Sequence, residues 1–110
     1  MQPVAQLHAS GLPFEMDFQI NAYDFTDAAA IDRRMAARQA HLDNAKKMKA
    51  AGHLIAGGAM LDASGKMIGS TLYLRFDARE EVDAYIASDP YTTGKVWDSI
   101  EVKTIRLVDL

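Results

Sequence analysis

Strict alternation of apolar and polar residues marks the first regular element of the chain, MDFQINAY at residues 16–23. A period of two is typical of a β-strand that buries one face. The apolar face consists of Met16, Phe18, Ile20 and Ala22. The same period recurs in MIGSTLYLRF, residues 67–76, and SIEVKTIRLVDL, residues 99–110, is the expected closing strand.

A further strand is expected at residues 53–61, HLIAGGAML, which contain the glycine pair Gly57 and Gly58. Glycines inside a strand allow another backbone or a ligand to approach closely. Only the turn DASGK separates this strand from residues 67–76. A connection so short joins antiparallel neighbours, so the two strands are predicted to form a hairpin.

Helical spacing replaces the alternation between about residues 27 and 51, a segment rich in Ala, Arg, Lys and Met. Thr26 or Asp27 is expected to cap the start of this helix, and Gly52 is expected to end it. The stripe predicted to face the core consists of Ile31, Met35, Leu42, Ala45 and Met48.

A second amphipathic helix is predicted over residues 78–88, with Val82, Tyr85 and Ile86 facing inward. Pro90 disfavours helical geometry at Asp89, so the chain must turn there. A short helical turn is expected within TTGKVW, residues 92–97.

The order β-α-β-β-α-β predicts an α+β, ferredoxin-like domain in which two helices cover one face of a four-stranded antiparallel sheet. This domain is assigned to residues 16–110, and residues 1–15 are interpreted as an irregular N-terminal arm. The uncovered face of the sheet would carry mixed residues, namely Tyr23, Thr71, Tyr73 and Arg75. A second copy of the chain is the commonest cover for such a face, so we expect a homodimer.

Composition restricts the classes of function that are open to the chain. Its 110 residues, 49% apolar and 25% charged, are typical of a single globular domain. The net charge of −3 and the lack of a dense basic cluster argue against nucleic acid as a partner. No apolar run is long enough for a membrane span, and the first residues lack the features of a signal peptide. The chain contains no cysteine, which excludes disulfides and thiolate nucleophiles, so a cytoplasmic protein is expected.

Few side chains remain that could carry chemistry. The three histidines, His8, His41 and His53, are too scattered to predict a metal site, so neither metal nor cofactor is expected. Neither a Gly-rich dinucleotide loop nor a GxSxG nucleophile motif occurs. Tyrosines and Trp97 are more often core or interface residues than site residues.

One edge of the long helix carries Arg34, Arg38 and His41 at steps of four and three residues. The first interpretation is a solvated charge stripe in which His41 is a boundary residue. The second is a general acid/base beside two cations that bind an anionic substrate. Imidazole suits that role because its ordinary pKa of about 6.5 allows proton transfer near neutrality.

Asp89, in SDPY, also has two interpretations. An Asp followed by Pro is a common start of a short helix, so Asp89 can be a capping residue. It can also orient the imidazole of His41 and stabilise its protonated form. Both roles are compatible, since a capping carboxylate is held rigidly.

From Met16 onwards the chain resembles the YCII-related (YciI-like) family of small bacterial proteins. The tail VWDSIEVK matches the way these proteins end. The other matching pieces are Asp24, the R-x-x-x-R-x-x-H-L pattern of Arg34, Arg38, His41 and Leu42, the AGG at 56–58, the GST at 69–71 and the DPY at 89–91. The chain departs from the family at Gln39, where the family often has proline, and at Lys95, where it often has glycine.

The resemblance implies a dimeric α+β barrel fold and a catalytic pair that falls on His41 and Asp89. One branch of the family is known for dehydrochlorination of a chlorinated hydroxyhydroquinone, and muconolactone isomerases share the wider fold. The hypothesis that follows is a cofactor-free acid–base enzyme acting on a small anionic or phenolic substrate. Arg34, Arg38 and Tyr91 are assigned to substrate binding.

Two alternatives stay open on the sequence alone. A non-catalytic dimeric module could bind a small metabolite or an interaction partner through the same surface. A cofactor-free monooxygenase of the same barrel type would need an apolar cavity in the barrel, and the mixed face of residues 67–76 argues against that. Fold alone does not decide between them.

Overall fold

The structure, a computed structural model, describes residues 14–108 and residue 110. Of the irregular arm expected over residues 1–15, only Phe14 and Glu15 are described, and both lie outside the helices and strands. The rest of the expected arm, His8 included, lies outside the described residues.

The described chain confirms the β-α-β-β-α-β order and adds one short helix before the last strand. All strand pairs are antiparallel, and the sheet order is β2-β3-β1-β4. The closing strand begins and ends earlier than its expected range of 99–110. The short helix begins two residues before TTGKVW and includes only the first two residues of that stretch. The elements are β1 (Met16–Asp24), α1 (Ala30–Ala50), β2 (Leu54–Leu61), β3 (Met67–Phe76), α2 (Arg79–Ser88), α3 (Pro90–Thr93) and β4 (Trp97–Ile105).

The core lies between one face of the sheet and the helices. Alternation in β1 and β3 places their apolar residues on this face, as predicted, and α2 packs against them through Val82 and Tyr85. Ile86 is half-buried against the same cluster. The buried apolar residues of the two central strands are Phe18, Ile20, Ala22, Leu72, Leu74 and Phe76.

The start of α1 differs from the prediction. The helix begins at Ala30, and its N-cap position, Ala29, has no side-chain cap, so neither Thr26 nor Asp27 plays that role. Asp27 instead accepts two hydrogen bonds of 2.8 Å from the guanidinium of Arg33. Asp27 thus pairs with a side chain of α1 and does not cap its backbone.

The end of α1 confirms the prediction for Gly52. Its φ of 84° lies in the left-handed region, which glycine adopts without a steric penalty. The amide of His53 donates to the carbonyl of Met48 at 2.9 Å, and the amide of Gly52 donates to Lys49 at 3.1 Å. These two bonds form a Schellman motif that satisfies the last carbonyls of the helix.

The first part of the inward stripe of α1 is rotated by one residue from its predicted position, whereas Met48 near the end of the helix packs against the core as predicted. Met35, expected to face the core, is 52% exposed, whereas Arg34 is 3% exposed. One residue corresponds to about 100° around a helix, which is enough to exchange a buried edge of the helix with a solvent-exposed one. The rotation is stabilised by an ion pair between Arg34 and Asp24 at the end of β1.

The opposite face of the sheet carries polar side chains that pair across the strands. Arg75 donates to Asp17, its directly opposed neighbour in β1, at 2.6 Å, and Thr71 donates to Asn21 at 3.0 Å. Tyr23 on this face is 48% exposed. The described helices pack on the other side, so this face is open in the single chain.

No helix in the described part of the chain is long and apolar enough to cross a membrane.

Candidate active site

His41 and Asp89, which lie 48 residues apart in the sequence, are in direct contact. The Nδ1 atom of His41, from the middle of α1, is 2.8 Å from Oδ1 of Asp89. Asp89 is fully buried, and His41 is 7% exposed. The structure therefore places the predicted pair at the boundary between the core and the surface.

Asp89 performs the capping role and contacts His41 at the same time. Its Oδ1 accepts a 2.8 Å hydrogen bond from the amide of Tyr91, as the N-cap of α3 with Pro90 in the first turn. Its Oδ2 accepts from the hydroxyl of Tyr85 at 2.8 Å. An aspartate that receives these bonds acts as an acceptor, so Nδ1 of His41 is the donor in their contact. The other ring nitrogen of His41, Nε2, then carries a free lone pair.

Tyr85 takes part in this site, although the sequence placed it only in the core. It stands one helical turn before Asp89, so its hydroxyl reaches the carboxylate from the last turn of α2. Burial and the adjacent Asp89 raise the pKa of Tyr85, which keeps the phenol protonated as a donor. The signal that could have revealed it is the four-residue spacing between Tyr85 and Asp89.

Aromatic rings enclose the imidazole of His41. The ring of Tyr91 stacks on it with centroids 3.9 Å apart and an interplanar angle of 10°. Trp97, the first residue of β4, meets the imidazole edge-on at 5.9 Å. Stacked rings favour a cation, so Tyr91 stabilises His41 when the imidazole is protonated. Both rings also belong to the core cluster, so their core and site roles coincide.

Arg34 is not placed as a free anion-binding group. One of its terminal nitrogens contacts both carboxylate oxygens of Asp24, at 2.8 and 2.9 Å, and the other donates to Ser70 at 3.2 Å. Ser70 also accepts from the indole nitrogen of Trp97 at 3.1 Å. The Nε atom of Arg34 is buried and has no hydrogen-bond partner. The guanidinium lies 4.9 Å from the centroid of the Tyr91 ring, so Arg34 supports the ring that stacks on His41.

Arg38 has a different environment. It is exposed, one helical turn from Arg34, and makes no ion pair within the described part of the chain. Burial raises the pKa of Tyr91, and the positive charges of Arg34 and Arg38 act in the opposite direction. Arg38 is therefore a cation close to the Tyr91 phenol and available to a ligand.

A cleft of about 200 Å³ opens beside His41, between α1 and the β2–β3 hairpin. The predicted site residues Arg34, Arg38, His41 and Tyr91 all line it, and Asp89 lies behind His41. The glycine pair of β2 lines the opposite wall. A Cβ atom at Gly57 would lie 2.6 Å from the side chain of Leu72, so glycine permits the close packing of this wall.

The sheet with its helices on one face and the histidine–carboxylate pair beside a small cleft define a ferredoxin-like domain with a candidate acid–base site. The YCII-related domain matches residues 16–106, and the chain belongs to that family. The resemblance seen in the short motifs thus extends over residues 16–106.

One curated protein and two solved structures illustrate the similarity. Protein YciI of Escherichia coli is 28% identical over 99 residues, which cover 84% of this chain and 99% of that protein. The 5-chloro-2-hydroxyhydroquinone dehydrochlorinase of Burkholderia phenoliruptrix, solved with 2,5-dihydroxybenzoquinone, superposes with a TM-score of 0.73 at 25% identity, covering 83% of this chain and 94% of that one. A dimeric protein of ferredoxin-like fold from Bacteroides fragilis has a TM-score of 0.52 at 14% identity, covering 86% and 99%.

Proposed function

We propose that the protein is a cofactor-free acid–base enzyme in which His41 transfers a proton to and from a small anionic or phenolic substrate. The observation that carries this proposal is the 2.8 Å contact between Nδ1 of His41 and the buried carboxylate of Asp89, beside an open cleft. A histidine that donates through Nδ1 to a carboxylate leaves Nε2 to take a proton from a substrate.

Asp89 is proposed to act through His41 rather than on the substrate. It holds the imidazole in one tautomer and stabilises the imidazolium that forms when Nε2 takes a proton. Tyr85 and the amide of Tyr91 hold Asp89 in turn, with hydrogen bonds of 2.8 Å each. The pair is thus preorganised before a substrate arrives, which lowers the cost of reaching the transition state.

The walls of the cleft indicate the class of substrate. Arg38 supplies a positive charge at its mouth, and Tyr91 supplies a protonated phenol, which favours an oxygen that carries negative charge. A volume of about 200 Å³ suits a molecule with a single ring. The dehydrochlorinase of similar structure is described with 2,5-dihydroxybenzoquinone, a molecule of that size and chemistry.

Dehydrochlorinase-like lyase chemistry and isomerase chemistry both begin with the removal of a proton by a base such as His41. In the first, His41 takes a proton from a hydroxyl of the substrate, and the ring carbon that bears chlorine takes up a proton to give a ketone. Chloride then leaves as a second hydroxyl loses its proton, so HCl is lost overall and a quinone is formed. In the second, the electron pair of a broken C–H bond shifts a double bond, and the imidazolium returns its proton elsewhere on the substrate. The same residues serve both reactions, so the reaction type follows from the substrate.

The open face of the sheet supports a homodimer as the working unit. Half-exposed Tyr23 and the polar pairs of β1 and β3 leave this face mixed in character, neither fully apolar nor fully charged. An isologous contact between two such faces covers both at once. Sedimentation equilibrium at micromolar concentration measures this directly, and a monomer would contradict it.

The proposed function is tested by incubating the protein with 5-chloro-2-hydroxyhydroquinone and following chloride release. Catalysis is expected, with many equivalents of chloride released per protein and a rate above that of the protein-free solution. Binding of 2,5-dihydroxybenzoquinone without any turnover, on this compound or on lactones that isomerise by proton transfer, would identify a non-catalytic binding module instead.

Arg38→Gln is expected to weaken the binding of the substrate while leaving proton transfer largely intact. Loss of one charge-assisted hydrogen bond costs about 1.5–3 kcal/mol, so KM should rise roughly tenfold or more with kcat little changed. Arg79→Gln is the matched control, because Arg79 binds Asp83 on the surface of α2 and does not line the cleft. Equal kinetics for the Arg38 variant and the wild type would show that Arg38 does not hold the substrate.

A further inference from the structure

A second cavity adjoins the cleft at its far end. It has a volume of about 110 Å³ and lies between the β1–α1 connection and the turn of the β2–β3 hairpin. Both cavities lie along one edge of α1. Ala30 and Ile31 line the second cavity, and Arg34, Arg38 and His41 follow along the cleft.

These positions recur every three or four residues, so they form a continuous stripe along the helix. From Ala30 to Ala45, the last helical residue of the cleft, the stripe is roughly 22 Å long at 1.5 Å per residue. The two cavities are therefore successive parts of one groove between α1 and the hairpin.

Met67, at the start of β3, lines both cavities and so stands between them. On the helix side the partition is completed by the ion pair of Arg34 with Asp24, since Arg34 lines the cleft and Asp24 lines the second cavity. The ion pair is buried and fixed, whereas the unbranched thioether of methionine adapts its shape readily. Met67 is half-buried and is not part of the core cluster, so it has room to move.

The chemistry of the second cavity favours an apolar occupant. Its carboxylates are already paired, Asp24 with Arg34 and Asp27 with Arg33. Lys66 contributes a cation only at the exposed end, where its charge also acts on Asp62. The remaining side-chain surface is mainly aromatic and aliphatic, from Phe25, Ile31, Met67 and Ile68.

We propose that this second cavity is a substituent subsite, and that Met67 sets the size of the substrate that the groove accepts. The ring of the substrate would lie beside His41, and a short alkyl substituent would pass Met67 into the second cavity. A volume of about 110 Å³ holds roughly three or four groups of the size of a water molecule. This inference rests on the proposed function, since it takes the ring to bind beside His41.

The test compares the binding of 2,5-dihydroxybenzoquinone with that of its 3-butyl derivative by isothermal titration calorimetry. Met67→Ala should bind the butyl derivative about tenfold more tightly than the wild type, the effect of burying about two more methylene groups. Met67→Phe should bind the butyl derivative about tenfold more weakly. Because Met67 also lines the cleft, the affinity of each protein for the butyl derivative is divided by its affinity for the unsubstituted quinone, and the tenfold changes are expected in this ratio.

Met35→Ala is the matched control, because Met35 is exposed on α1 and lines neither cavity. A position-specific readout comes from isoleucine methyl resonances. Those of Ile31 and Ile68 should shift with the butyl derivative and not with the unsubstituted quinone, while that of Ile86 on α2 should stay in place.

The subsite is overturned if the unsubstituted quinone binds but the affinity for the butyl derivative does not depend on residue 67, or if Ile31 and Ile68 do not respond to the butyl chain. Failure of the unsubstituted quinone to bind is a different result. It contradicts the ligand class of the proposed function, and it overturns the proposed subsite as well.

Discussion

His41→Asn is expected to lower kcat for chloride release by about 10²–10⁴-fold while leaving KM nearly unchanged. The amide nitrogen of asparagine can take the place of Nδ1 and donate to Asp89, so the buried carboxylate keeps its partner. Asparagine offers no basic atom at the position of Nε2. The substitution therefore removes proton transfer and preserves the hydrogen bonds around Asp89.

The measurement is steady-state kinetics combined with calorimetric binding of 2,5-dihydroxybenzoquinone to the variant. His53→Asn is the matched control, since His53 also donates through Nδ1, to the carbonyl of Arg75, but lines neither cavity. Turnover by the His41 variant at the rate of the wild type would exclude His41 as the base. Lost affinity for the quinone together with lost turnover would point to a binding role.

Asp24→Asn is expected to destabilise the protein by about 3–5 kcal/mol, which is the usual cost of leaving a buried charge without its partner. Arg34 is 3% exposed and has Asp24 as its counter-ion, at 2.8 Å. An asparagine of the same shape removes the negative charge and leaves the guanidinium buried. Urea-induced unfolding of the two proteins measures the difference in the free energy of unfolding.

The neighbouring pair of Asp27 and Arg33 is an internal control for burial. These side chains are also joined at 2.8 Å, but they are 51% and 31% exposed. Hydrogen bonding to Arg33 lowers the pKa of Asp27 to about 2, yet pairs this exposed contribute little to stability because solvent screens them. Asp27→Asn should therefore be nearly neutral.

The double variant Asp24→Asn with Arg34→Met should recover much of the loss, because no unpaired charge remains in the core. Equal destabilisation by the two aspartate substitutions would show that burial of the Arg34 pair is not what stabilises this end of the sheet. A double variant as unstable as Asp24→Asn alone would lead to the same conclusion.

The elements whose pattern depends only on local sequence were predictable. Alternation in β1 and β3 fixes which residues face the core, and Gly52 and Pro90 mark the ends of α1 and α2 through backbone geometry alone. The order of these elements restricts the topology to few choices, and the observed sheet is among them.

The rotation of α1 could not be read from its own residues. A scale of hydrophobicity places Met35 in the core and Arg34 in water. The actual arrangement depends on Asp24, ten residues away on another element, whose charge makes the burial of Arg34 favourable. The pairing of Asp27 with the side chain of Arg33, in place of a cap on the first turn, was likewise not predicted.

The contact between His41 and Asp89 was predicted, whereas the side chains that hold this pair in place were not. The spacing of His41 and the capping position of Asp89 made each a candidate, and the family motif joined them. Tyr85 is four residues from Asp89, a spacing that also fits a residue facing the core, so its bond to the carboxylate was not distinguished from packing. Ser70 contacts Arg34 and Trp97 only through tertiary structure, and no period along the chain connects these three residues.

The position of Trp97 gives the chain a built-in optical reporter. It is the single tryptophan of the sequence, it is 5% exposed, and its ring lies 5.9 Å from the imidazole of His41. Its indole nitrogen and the guanidinium of Arg34 both donate to the hydroxyl of Ser70. A displacement of Arg34 or Ser70 at the wall of the cleft therefore changes the surroundings of the indole. Intrinsic fluorescence at the red edge of excitation thus reports on the site without a label, and unfolding and ligand occupancy can be followed in the same cuvette.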